Sequence, residues 1–184
     1  MTLNPVWDLI FGIALLGKAT WYYLERPTLH SVSKLRQTCF FSGSLLALIL
    51  LVGPIAHAAI AKFQFHMVQH IGLMMLIGPL LVLGAPVKVA YNSKFPFVRR
   101  IIRIIGRNIL VRQLFRAEVG FVIFLAILIA THFSPLADAG MVNPNVHQFE
   151  LLLFLVGGFI YYYPVIEGNP QPFHIPYFVR ILRS

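Results

Sequence analysis

The sequence predicts an all-α protein: an integral membrane bundle of about five transmembrane helices, with one amphipathic helix on the cytoplasmic surface. Three observations lead there. Of the 184 residues, 58% are hydrophobic and only 11% charged, which is a membrane composition rather than a soluble one. Five apolar stretches approach the ~20 residues that cross a bilayer as a helix. The basic residues gather in alternate connections between those stretches.

The spans follow in order along a single transmembrane domain. Residues 6–24 form the first, with Asp8 and Lys18 near its ends. No Lys or Arg precedes it, so it lacks the basic start of a cleaved signal peptide and reads as a retained helix. Residues 39–61 form the second. Residues 65–85 form the third, ended by Gly84-Ala85-Pro86. Residues 119–133 form a short fourth, unless 114–118 extend it. Residues 146–166 form the fifth, ended by Pro164 and the turn formers Glu167-Gly168-Asn169-Pro170. There is no internal repeat and no low-complexity tract.

Charge orients the bundle. Residues 25–38 carry Arg26, Lys34 and Arg36. Residues 87–118 carry Lys88, Lys94, Arg99, Arg100, Arg103, Arg107, Arg112 and Arg116, and the tail carries Arg180 and Arg183. These segments hold thirteen of the fifteen Lys and Arg. The opposite set of connections holds only Lys62, and Lys18 lies within the first span. The positive-inside rule then puts the N-terminus outside and the C-terminus inside. A formal charge of +9 would suggest nucleic acid in a soluble domain. Here the arginines flank apolar segments, so the expected partner is the bilayer and no nucleic acid is expected. In residues 97–116, FVRRIIRIIGRNILVRQLFR, Arg99, Arg103 and Arg107 recur every four residues. That spacing suits a helix lying on an anionic leaflet; a docking surface for a partner is the secondary reading. The single cysteine, Cys39, excludes an intrachain disulfide and any CxxC motif.

The chemistry concentrates around residues 63–86, FQFHMVQHIGLMMLIGPLLVLGAP. His66 and His70 stand at i and i+4, on one helical face, with Met74 one turn deeper. Imidazole and thioether together suit copper; imidazole alone also suits zinc or iron. The plain alternative is two satisfied polar residues near a helix end. On the predicted topology His57, His66, His70, His132 and His147 all fall at the outer face, from four helices; only His30 and His174 fall inside. Glu150 follows His147 by one turn, as a ligand or as an acceptor that orients a histidine. Met67 and Met141 place soft sulfur at the same face, which favours copper over zinc. Met74 and Met75 read as packing residues. There is no hydrolytic triad, no phosphate-binding glycine loop and no pair of carboxylates, so no catalysis is expected.

The segments RQTCFFSGSLLALILLVGPIAHAA, FHMVQHIGLMMLIGPLLVLGAP, THFSPLADAG and NPNVHQFELLLFLVGGFIYYYPV together resemble the CtaG-type assembly factors of haem–copper cytochrome oxidases. The second of these is the most specific match. The resemblance implies a bacterial or archaeal protein of the cytoplasmic membrane, required for active oxidase, that helps put copper into the catalytic subunit. Its partners would be subunits of a haem–copper oxidase. The matching positions are His66, His70, His132, His147 and Glu150. Two features depart from the family. It commonly reads H-x-x-E-H in the fifth helix, where Leu151 follows Glu150 here. It also usually continues through further membrane helices beyond the point where this sequence stops, at Ser184. Those departures keep a rival in view: a permanent structural accessory subunit of a membrane respiratory or copper-enzyme complex, handling no metal itself. A haem b protein, with His70 and His132 as axial ligands, ranks third, because the pair would sit near the membrane edge and nothing else marks a haem pocket.

Overall fold

The computed structural model describes residues 5–166. His174, Arg180, Arg183 and the turn expected at 167–170 lie outside the described residues. Within them the chain is helical throughout, with no strand. The helices are α1 (Pro5–Leu24), α2 (Arg26–Leu29), α3 (Lys34–Leu51), α4 (Pro54–Ala61) and α5 (Phe63–Ile71), then a π-helical segment (Gly72–Ile77) running into α6 (Gly78–Leu83). After these come α7 (Pro86–Tyr91), α8 (Pro96–Arg107), α9 (Ile109–Leu114), α10 (Ala117–Phe133), α11 (Pro135–Val142) and α12 (Pro144–Val165). Three stretches are long and apolar enough to cross a membrane: Lys34–Ala59, Phe63–Leu83 and Pro144–Val165; Ala117–Phe133 is apolar but shorter.

Local chemistry sets the boundaries, and several differ from the sequence reading. The second apolar stretch starts at Lys34, where the Ser33 hydroxyl accepts the Arg36 N–H. It breaks at Val52-Gly53 because Pro54 has no N–H to offer the Leu50 carbonyl. The third is not one α-helix but three pieces, with the π segment in the middle. It ends on Ala85, the one non-glycine described residue with positive φ, at 51°. The amphipathic stretch is likewise two helices. Asn108 leaves the helical region, and its side chain caps α9 by accepting the Leu110 N–H at 2.8 Å. The connection after α10 contains α11, started by Ser134 accepting the Leu136 N–H at 3.1 Å.

Helix α12 is the axis of the bundle, packed on α10, α11, α6 and the π segment. Glycines let it approach closely: a Cβ on Gly78 would stand 2.9 Å from the Gly158 carbonyl carbon, and one on Gly158 would stand 2.5 Å from the Met74 carbonyl oxygen. Small residues serve this purpose in membrane bundles, where close backbone contact replaces the hydrophobic driving force. Met74 is buried in the core and Met75 is exposed. Helix α1 packs on α3 through Phe11, Leu15 and Tyr22. The Tyr22 ring stacks on Phe40 at 3.8 Å, and its hydroxyl donates to the Gly84 carbonyl at 2.8 Å. Large apolar side chains such as Leu9, Ile13, Leu45, Ile71, Val122 and Val156 remain exposed on the long helices, as a lipid-facing surface requires.

The two ends of the bundle differ. At one, Trp7 of α1 donates to Asn145 of α12 at 3.0 Å, and the histidines lie there. At the other, Glu25 is fully buried. Its carboxylate accepts from the Ser93 hydroxyl, from the Lys94 N–H at 3.0 Å and from Thr28 Oγ1 at 3.3 Å. That carboxylate ties the end of α1 to the connection leading into α8.

Candidate metal centre

Three helix ends converge on the imidazoles. Helix α5 is regular from Phe63 to Ile71, so His66 and His70 share a face, and their ring centres lie 4.3 Å apart. The start of α12 brings His147 onto them: its ring stacks on His66 at 4.4 Å and stands 5.6 Å from His70. One ring nitrogen from each of the three lies within 4.8 Å of the others. Nitrogens bound to one ion at ~2.0–2.1 Å stand no more than about 4.2 Å apart, so this trio closes on an ion with side-chain shifts of about an ångström. His132, at the end of α10, stands behind, 5.8 Å from His70 ring to ring. Phe154 of α12 packs 4.4 Å from His70 and 5.9 Å from His132 and forms the apolar floor.

The hydrogen bonds decide which nitrogens are available. His132 Nδ1 is 3.0 Å from the Leu128 carbonyl. That nitrogen therefore carries the proton and leaves Nε2 with its lone pair. His147 Nε2 is 3.2 Å from Gln69 Oε1. Gln69 is 1% exposed, and its Nε2 donates to the Leu50 carbonyl at 2.6 Å. This is the carbonyl that Pro54 leaves without a helical donor. With its amide N–H committed there, Gln69 presents oxygen to His147, which puts the His147 proton on Nε2 and bares Nδ1. Gln69 thus orients a ligand from outside the ligand set, and the sequence reading missed it. The signal was there: a proline four residues after Leu50 leaves a buried carbonyl in want of a donor.

Several atoms have no partner. Both ring nitrogens of His70, Nδ1 of His147 and Oε1 of Glu150 are buried without a hydrogen bond. Native interiors pair almost every such group, and an ion is one of the few reasons for an exception. The Glu150 carboxylate is 1% exposed and lies against Gly140 of α11, where no side chain would fit. Its Oε2 faces His147 Nδ1 across 3.8 Å, too far for a hydrogen bond. A bare imidazole nitrogen facing a carboxylate oxygen calls for a cation, or a proton, between them.

The remaining residues named from the sequence sit elsewhere. His57 is exposed on α4, outside the imidazole trio, and His30 is exposed beside α2 at the opposite end. Met67 is half-buried, and Met141 is 55% exposed on α11. Leu151 is fully buried in the apolar core, on the same α12 face as His147 and Phe154.

Uncharacterised proteins of Mycobacterium leprae, at 30% identity, and of Mycobacterium bovis and Mycobacterium tuberculosis, at 32%, each match over 128 residues, 66% of this chain. The chain spans about a fifth of their length, 19% in each case. No solved structure matches it. The family model of the cytochrome c oxidase caa3 assembly factors (CtaG), the family that the sequence resembles, matches residues 18–183 and so takes in every histidine of the site. The protein therefore belongs to the cytochrome c oxidase caa3 assembly factor family.

Proposed function

We propose that this protein acts in assembly of a haem–copper oxidase in the prokaryotic cytoplasmic membrane, holding copper in transit at the outer face through His66, His70 and His147. His132 and Glu150 complete or steady the set. The observation that carries this is the convergence of three imidazoles, with both ring nitrogens of His70 and Nδ1 of His147 buried and unpartnered. Copper is cargo here: His66, half-buried beside two buried ligands, is the side from which an ion would enter and leave. The donors are nitrogen with a carboxylate nearby, a set that copper takes more tightly than other divalent first-row ions. The topology in this reading is five spans, N-terminus outside and C-terminus inside, supported by the segregation of Lys and Arg. No reaction is catalysed by the chain itself.

Metal analysis of the purified chain beside its His66→Ala/His70→Ala variant tests the site. Copper bound by the wild type and lost in the variant, with oxidase activity falling in the same strain, is expected. A wild type that takes up no copper, or a variant strain that respires normally, refutes copper handling. Stoichiometric co-purification with the mature oxidase would then establish the accessory-subunit role. Reporter fusions at Asn143 and Ser184 test the topology, and an externally active reporter at Ser184 overturns it.

A further inference from the structure

A second site lies at the other end of α12. His147 and Tyr163 are sixteen residues apart on that helix, about 24 Å. Beside Tyr163 is a cavity of about 530 Å³, within the ~300–1,000 Å³ typical of small-molecule sites. Ile102 and Ile105 of α8, with Phe115 and Phe159, make its walls apolar, and Arg107 and Arg112 add two guanidinium groups. No acidic residue lines it among the described residues. Tyr91, also in the lining, is covered by Arg103 at 5.4 Å.

We propose that this cavity holds an acyl chain of an anionic phospholipid, with the lipid phosphate on Arg107 and Arg112. The lining fits both halves of such a molecule. The walls suit hydrocarbon, and planar guanidinium groups bind phosphate oxygens in pairs. Position argues for a lipid over a soluble ligand. Helix α8 buries no residue; it exposes Phe97, Ile101 and Ile104 on one side and arginines on the other, which is the build of a helix lying at headgroup depth. Basic pockets between helices at that depth select anionic headgroups. The lipid would wedge α8 and α9 against α7 and α12, the elements whose residues line the cavity.

The test is titration of the purified full chain, in neutral detergent, with phosphatidylglycerol or phosphatidylcholine, read by native mass spectrometry. One tightly held phosphatidylglycerol is expected, preferred at least about tenfold over phosphatidylcholine. Arg107→Gln/Arg112→Gln should weaken it by about thirtyfold. Gly106→Phe should abolish it by filling the cavity. A Cβ at Gly106 meets nothing within 4 Å, and replacing a helical glycine favours the helix, so that variant should fold. Arg100→Gln, exposed on α8 outside the lining, should leave binding unchanged. Equal retention of both lipids overturns the proposal, as does retention in Gly106→Phe. So does a photoreactive residue at position 105 that cross-links to residues 167–184 or to a second copy instead of lipid.

Discussion

Replacing Gln69 by Leu removes a side chain that touches no metal in the proposed site, and it should still weaken copper binding. Two hydrogen bonds are lost: Nε2 to the Leu50 carbonyl at 2.6 Å and Oε1 to His147 Nε2 at 3.2 Å. The first loss orphans a buried carbonyl that cannot turn to a backbone donor, because residue 54 is proline. That costs about 1–3 kcal/mol of stability. The second loss frees the His147 ring to rotate and to move its proton to Nδ1, the unpartnered nitrogen that faces Glu150. Removing such an orienting partner lowers metal affinity by about 10–100-fold, or roughly 1.4–2.7 kcal/mol. Gln69→Glu separates the two effects, since it keeps an acceptor for His147 and loses the donor to Leu50. Competition against a chromophoric copper chelator, alongside thermal unfolding in the same detergent, reads both quantities. Leu should lose affinity and stability; Glu should lose stability and keep more of the affinity. If the wild type binds copper and Gln69→Leu binds it equally well while melting earlier, Gln69 is structural only and the assigned His147 tautomer is wrong.

Other substitutions probe other parts of the chain. Leu151→His places an imidazole at i+4 from His147 and restores the H-x-x-E-H pattern; copper affinity should rise while stability falls, because a fully buried core leucine is exchanged for a polar ring. Unchanged affinity would mean that position 151 does not face the ion. Glu25→Ala should destabilise by about 1–3 kcal/mol through the stranded Ser93 hydroxyl and Lys94 N–H and leave copper binding untouched, as melting and chelator competition would show. Loss of copper in Glu25→Ala would show instead that the two ends of the bundle are coupled.

The helical class was legible because it rests on features that do not depend on neighbours: apolar runs and their length. Interruptions were harder, and for separable reasons. The break at Val52-Gly53 was written in Pro54, but a run of apolar residues on both sides masks one proline. Asn108 is an ordinary residue inside an amphipathic pattern, and only its departure from helical backbone reveals that it caps α9. The segment 135–142 carries Pro135, Asp138 and Gly140, which read as loop; it is helical because Ser134 starts it and because Gly140 leaves room for the Glu150 carboxylate beneath.

The site was legible to different depths for each residue. His66 and His70 could be placed together from spacing alone, since α5 is regular across both. That His147 joins them depends on α12 meeting α5, and the topology supplied only a shared membrane face for it. His57 had that same warrant and lies elsewhere. Depth along the membrane is what charge and hydropathy encode, whereas rotation of each helix about its axis is set by packing, and α4 turns His57 outward. Gln69 shows the remaining limit. A glutamine between two histidines reads as filler, and a proline fifteen residues earlier reads as a kink. Only when α3 lies against the π segment and α12 against α5 and the π segment do the stranded Leu50 carbonyl, the Gln69 amide and the His147 ring fall into line. The helix break and the choice of ligand nitrogen are then one feature: the amide that satisfies the broken helix is the group that bares His147 Nδ1.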